Sequence, residues 1–98
     1  MLYSYIFEPR AQSEYEEAIK WYKERSIAAS ENFEIAIDDK LKEICKHPKR
    51  YRNTKKHFRE TFLENFPYSI IYFIEEEICT IAVTSIFHSS RNPKRKFK

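Results

Sequence analysis

The stretch that decides the fold runs from Phe58 to His88, FRETFLENFPYSIIYFIEEEICTIAVTSIFH. It divides into three runs rich in aromatic and β-branched residues, Phe58 to Leu63, Tyr68 to Glu75 and Ile78 to His88. Such residues suit a pleated, half-buried surface, so each run reads as a strand. The connectors, Glu64-Asn65-Phe66-Pro67 and Glu76-Glu77, are short enough to join antiparallel neighbours. Neither contains glycine, which is unusual for hairpin turns.

Working toward the N-terminus, Lys49-Arg50-Tyr51-Arg52-Asn53-Thr54-Lys55-Lys56 reads as a basic, turn-rich loop, and His47-Pro48 as the stop of a helix. That helix is marked by Phe33, Ile37, Leu41, Ile44 and Cys45 at intervals of three and four and runs through to Lys46. Glu24-Arg25-Ser26 breaks the pattern, with Ser26 as N-cap, and Ala11, Tyr15, Ala18, Ile19 and Tyr22 trace the face of an earlier helix. So short a break makes the two helices an antiparallel hairpin. Before them, Leu2-Tyr3-Ser4-Tyr5-Ile6-Phe7 reads as a strand ended by Glu8-Pro9. The order β-αα-βββ predicts a single α+β domain over 1–98, an antiparallel sheet covered on one face by an α-helical hairpin. The tail from Ser89 to Lys98 carries Pro93 and five basic residues, Arg91, Lys94, Arg95, Lys96 and Lys98, with little to bury.

At 98 residues the chain has room for one core only. It contains no glycine. A Walker loop, a dinucleotide-binding turn, a nucleophile elbow and an EF-hand loop all need glycine's backbone freedom, so none is present in its usual form. The net charge of +3 conceals an asymmetry: residues 1–45 hold six basic and ten acidic side chains, residues 46–98 twelve and five. A second half of that sign suits a polyanion or an acidic polypeptide. Cys45 and Cys79 lack metal-ligand spacing and fall on apolar patterns, as buried reduced thiols of a cytoplasmic protein would. No apolar run reaches the length of a membrane span, and no metal or cofactor is expected.

Alternation along the last strand puts Cys79, Ile81, Val83, Ser85 and Phe87 on one face and Ile78, Thr80, Ala82, Thr84, Ile86 and His88 on the other. The second set is smaller and more polar, which predicts the solvent-facing side. His88 at its end, beside Arg91, has the chemistry of a general acid or base with a guanidinium for developing phosphate charge. Arg59, Arg50, Arg52, Lys55 and Lys56 could complete such a site, with Tyr51 to stack on a base. Their plainer reading is a solvated basic loop and a structural histidine. Glu75-Glu76-Glu77 reads as a solvated strand end.

Taken together, Arg59-Glu60, Phe66-Pro67-Tyr68-Ser69-Ile70-Ile71-Tyr72 and Ile86-Phe87-His88-Ser89-Ser90-Arg91-Asn92-Pro93 resemble the ParE/RelE superfamily of type II toxin–antitoxin toxins. Ala18-Ile19-Lys20-Trp21-Tyr22 and His47-Pro48 are similar to it too, so the resemblance spans nearly the whole chain. It implies the β-αα-βββ fold, a cognate antitoxin encoded by an adjacent gene, and a target that is either DNA gyrase or the ribosome with its mRNA. The Phe-Pro-Tyr turn and the His-x-x-Arg-x-Pro ending look nearer the ParE branch, associated with gyrase inhibition and plasmid stabilization. A RelE-like mRNA endonuclease would use His88, Arg91 and Arg59 catalytically. Glu64, at a turn where ribonuclease members carry an arginine, would repel a scissile phosphate. A third alternative is a degenerate toxin that serves only as antitoxin partner. In each case Arg50, Tyr51, Arg52, Lys55, Lys56, Lys94 and Arg95 are the expected nucleic-acid or partner contacts.

Overall fold

In the computed structural model, which describes residues 2–97, a helical hairpin lies on a five-stranded sheet. The elements are β1 (Ser4–Phe7), α1 (Pro9–Arg25), α2 (Ile27–Lys46), β2 (Arg52–Lys55), β3 (Phe58–Phe62), β4 (Tyr68–Glu75) and β5 (Thr80–His88). Lys98, counted above with the basic tail, lies outside the described residues. The α+β class and the hairpin are as the periodicity requires. Ser26 alone separates the helices, and its hydroxyl accepts a hydrogen bond from the Ala29 amide at 3.2 Å, as an N-cap should.

The sheet order is β1-β5-β4-β3-β2. β3, β4 and β5 pair antiparallel as expected, but β1 pairs with β5 in parallel, with Ser4 opposite Thr80 and Phe7 opposite Val83. The sheet is therefore mixed. The helical hairpin is the crossover that a parallel return requires. The segment expected as a basic loop contributes the edge strand β2, paired with β3 through Arg52 opposite Glu60. Its charged residues and the register irregularity between Asn53 and Lys55 blunt that edge.

The core lies between hairpin and sheet. Phe33, Ile37, Leu41 and Ile44 of α2 meet Ile70, Tyr72, Ile81, Val83 and Ile86, all buried. The Phe66 and Tyr68 rings pack 5.3 and 5.2 Å from Phe33, so the Phe-Pro-Tyr turn is a core element. Beyond the helix stop, the Tyr72 hydroxyl donates to the Pro48 carbonyl at 2.7 Å.

Two features of the last strand depart from simple alternation. A register shift opposite Ile71/Tyr72 leaves Thr84 as an extra residue, so Ile86 rather than Phe87 joins the helix-side core and His88 is brought to the α1 side. The second face of the sheet is not solvent-exposed either, since every residue of β5 from Thr80 to Phe87 is buried. The tail folds over that face: the Phe97 ring lies 5.3 Å from Phe58, and the Lys96 ammonium reaches buried Glu60 at 3.0 Å. Far from having little to bury, the tail has an apolar face to cover.

Cys79 precedes β5 in a left-handed turn with φ 49°, and Lys56 follows β2 in the turn to β3 with φ 51°. These are positions where glycine is usual. Neither cysteine forms a disulfide among the described residues, and Cys45 is buried whereas Cys79 is only partly so.

Candidate functional site

The end of β5 is positioned by α1. Glu14 lies on the α1 face that carries Ala11 and Ala18, and all three are buried. Its Oε1 accepts from the Ser85 hydroxyl at 2.7 Å and from the Ile86 amide at 3.0 Å, the donors displaced where the register shifts. Its Oε2 accepts from Arg91 at 2.7 Å and from Arg10 at 3.3 Å. A buried carboxylate with this many donors is well compensated. Glu14 thus ties together α1, the irregular strand and the start of the tail. Sequence reasoning missed it, although a glutamate in register with Ala11 and Ala18 on an apolar stripe was a readable signal.

His88 stands opposite Tyr68, its ring edge-on at 4.8 Å. The Ser90 amide donates to Nδ1 at 3.0 Å, and the Ser90 hydroxyl lies 2.8 Å from the same nitrogen. In the neutral ring the proton is therefore on Nε2, and the lone pair that a general base would use is engaged. Arg91 also contacts Glu17 at 3.5 Å, so its guanidinium faces two carboxylates.

The remaining expected residues are dispersed. Arg59 sits opposite Tyr72, four residues along β4 from Tyr68, so about 13 Å separates it from the His88 level. It donates to the Tyr51 carbonyl at 2.7 Å and the Lys49 carbonyl at 3.3 Å, closing the connection after α2. Arg50 pairs with Glu43 at 3.7 Å, and the Tyr51 hydroxyl donates to the same carboxylate at 3.1 Å. The Tyr51 ring is partly buried against the core, which removes one face from stacking on a base. Arg52 and Lys55 belong to the edge strand β2, and Lys56 to the turn that follows it. Lys94 and Arg95 belong to a 3-10 turn, Pro93–Arg95, where Arg95 joins Arg10 and Arg91 around an open depression of about 890 Å³. His88 and Arg91 therefore come together, with Arg95 nearby, while Arg59 and the basic segment lie elsewhere.

With that geometry in place, comparison with known families is decisive. A family model described as the ParE toxin of a type II toxin-antitoxin system, parDE, matches residues 5–93. The chain belongs to the ParE toxin family. Among solved structures, this ParE-family chain is similar to one from the chromosomal ParDE toxin–antitoxin system of P. aeruginosa, with TM-score 0.69 and 14% identity over 89% of this chain and 96% of that one. It is also similar to the isolated E. coli RelE toxin, with TM-score 0.64 and 18% identity over 94% of this chain and 89% of that one. Likeness at such identity shows a shared fold. No curated protein matches the sequence. The chain is a toxin of the ParE/RelE family, and a toxin–antitoxin module implies an antitoxin partner. Among the described residues, no helix is long and apolar enough to cross a membrane.

Proposed function

We propose that this toxin arrests growth in the cytoplasm by binding DNA gyrase, and that an antitoxin encoded beside it neutralises it. The observation that carries this reading is the commitment of its catalytic candidates. His88 Nδ1 accepts from Ser90, Arg91 faces Glu14 and Glu17, and Arg59 is hydrogen-bonded to two carbonyls at a different level of the sheet. A scissile phosphate entering beside His88 would meet the exposed Glu17 carboxylate before an uncompensated cation. Surface recognition needs none of these groups to move a proton. For the antitoxin, the β1 edge, Ser4-Tyr5-Ile6-Phe7, is uncharged where the β2 edge carries Arg52 and Lys55, so an extended segment has at β1 an edge without charged side chains to pair with.

The test is a supercoiling assay with purified gyrase beside a translation reaction in which mRNA is followed. The expected result is dose-dependent loss of supercoiling with intact mRNA. His88→Ala should weaken inhibition by less than about tenfold, against the roughly 10²–10⁴-fold loss expected for a group that transfers a proton. Cleaved mRNA with normal supercoiling would reverse the assignment.

A further inference from the structure

We propose that the cleft between α1 and the end of β5 is where the toxin grips its protein target, and that it takes an acidic segment bearing one bulky apolar side chain. The inference rests on the reading above that the target is bound rather than cut, and it names the surface and the chemistry of what docks there. The cleft holds about 310 Å³, within the range of preformed binding pockets, and its apolar wall consists of Trp21, Tyr22, Pro67 and Tyr68. Trp21 is the chain's single tryptophan and is 49% exposed. Its ring is held edge-on to Tyr22 at 5.1 Å and lies under the Arg25 guanidinium at 3.6 Å. Arg25 also donates to the Trp21 carbonyl at 2.8 Å, which fixes the stack. A large aromatic surface left open yet held rigid loses little conformational entropy on binding, and tryptophan, tyrosine and arginine dominate the energetic centres of protein interfaces.

Charge selects the rest of the occupant. Through Glu14, Glu17 and Arg91 the cleft opens into the wider depression that also holds Arg10 and Arg95. There Arg10 pairs with Glu14 and Arg91 with Glu14 and Glu17, while the Arg95 side chain makes no ion pair among the described residues. The Arg95 guanidinium is complementary to a carboxylate on the incoming segment. A nucleic-acid strand suits the place less well, because its phosphates recur at every nucleotide and would meet Glu17, whereas a peptide can place a single carboxylate at Arg95.

The experiment uses the full chain with Trp21→Ala and Arg95→Glu, and Glu77→Ala as a control on the remote strand end. Growth arrest is scored after induction without antitoxin, gyrase affinity by surface plasmon resonance, and folding by co-purification with the adjacent antitoxin. Both cleft variants should lose arrest and at least about tenfold in affinity while retaining the antitoxin, with the control unchanged. Arrest at the wild-type level in both variants overturns the proposal. So does loss of the antitoxin from them with arrest retained, which makes the cleft the antitoxin's seat. Trp21 emission gives a further check, since quenching by a single-stranded RNA oligonucleotide would overturn the choice of a protein segment. Wild-type arrest without gyrase binding removes the gyrase reading alone, and the same two variants still decide the cleft. A wild-type chain that leaves growth unaffected overturns both.

Discussion

Glu14 shows how much one side chain can decide. It is 6% exposed, yet it accepts hydrogen bonds from β5 and from two arginines, so its removal strands the buried Ile86 amide and Ser85 hydroxyl. Glu14→Ala should destabilise the fold by about 2–6 kcal/mol, at about 1–3 kcal/mol for each of the two buried donors left unsatisfied. Arg91→Ala should cost less, because Arg91 is 41% exposed and its loss leaves Glu14 with Arg10, Ser85 and Ile86. Urea denaturation of both variants checks the order; equal losses would mean that Arg91, and not the strand, is what Glu14 holds. The conformational cost of a glycine-free chain is visible at the same scale. Lys56 and Cys79 adopt the left-handed backbone that their β-carbons disfavour, and they do so where β2 turns into β3 and β4 into β5.

At the scale of elements, the hairpin and the β-strand ladder follow local rules, while the tail is decided by what it covers. Residues 89–98 carry no periodic apolar pattern, and reading them alone predicts a solvated basic arm. On the sheet, Lys96 finds Glu60, which also accepts from the Ser69 hydroxyl at 2.7 Å, and its ammonium lies 5.6 Å and 5.8 Å from the Phe87 and Phe62 ring centres. Phe97 meets Phe58, which itself packs on Phe73. The double variant Lys96→Ala, Phe97→Ala should lose about 2–3 kcal/mol, since a buried carboxylate loses its cation and aromatic surface is uncovered. It should also bind a hydrophobic dye that the wild type excludes. Unchanged stability and no dye binding would show that the outer face is covered without the tail. The strand irregularity belongs here too. Period-two counting along β5 holds up to Val83 and fails beyond it, because one extra residue moves every later side chain to the opposite face. That is why Ile86 and His88 were assigned to the wrong side by alternation alone.

Across the whole molecule, burial of tyrosines between hairpin and sheet sets an alkaline limit. Desolvation pushes the Tyr15 phenol from 10.0 up to about 12, with Glu34 adding to the effect, and it raises Tyr72, Tyr68 and Tyr22 as well. These groups ionise more readily in the unfolded chain than in the folded one. Their stabilisation is therefore complete below pH 10 and lost as pH rises toward 12 and beyond. Tyrosinate absorbance and circular dichroism should change together in that window; tyrosines that ionise before the dichroism falls would place them outside the core. The charge asymmetry also takes a definite form at this scale. Of the basic second half, Arg59, Lys96 and Arg91 are engaged in internal contacts, whereas Arg52 on β2, Lys56 in the turn after it and Arg95 beside the cleft remain at the surface.

The helical hairpin capped by Ser26, the three strands after it, most of the helix-side core and the family are legible in the chain alone, because each rests on short-range periodicity, a cap or a local motif. The sequence also brought His88 and Arg91 together, since they are three residues apart at one strand end. Tertiary structure decided the parallel return of β1, the pairing of β2, the side of the sheet His88 occupies, the covering of the outer face, and the separation of Arg59 from His88. Each of those depends on groups distant in the chain, such as Glu14 with Ser85 or Glu60 with Lys96, whose meeting no local pattern encodes. The cleft beside Trp21 is of the same kind, built where a helix, a turn and a strand end converge.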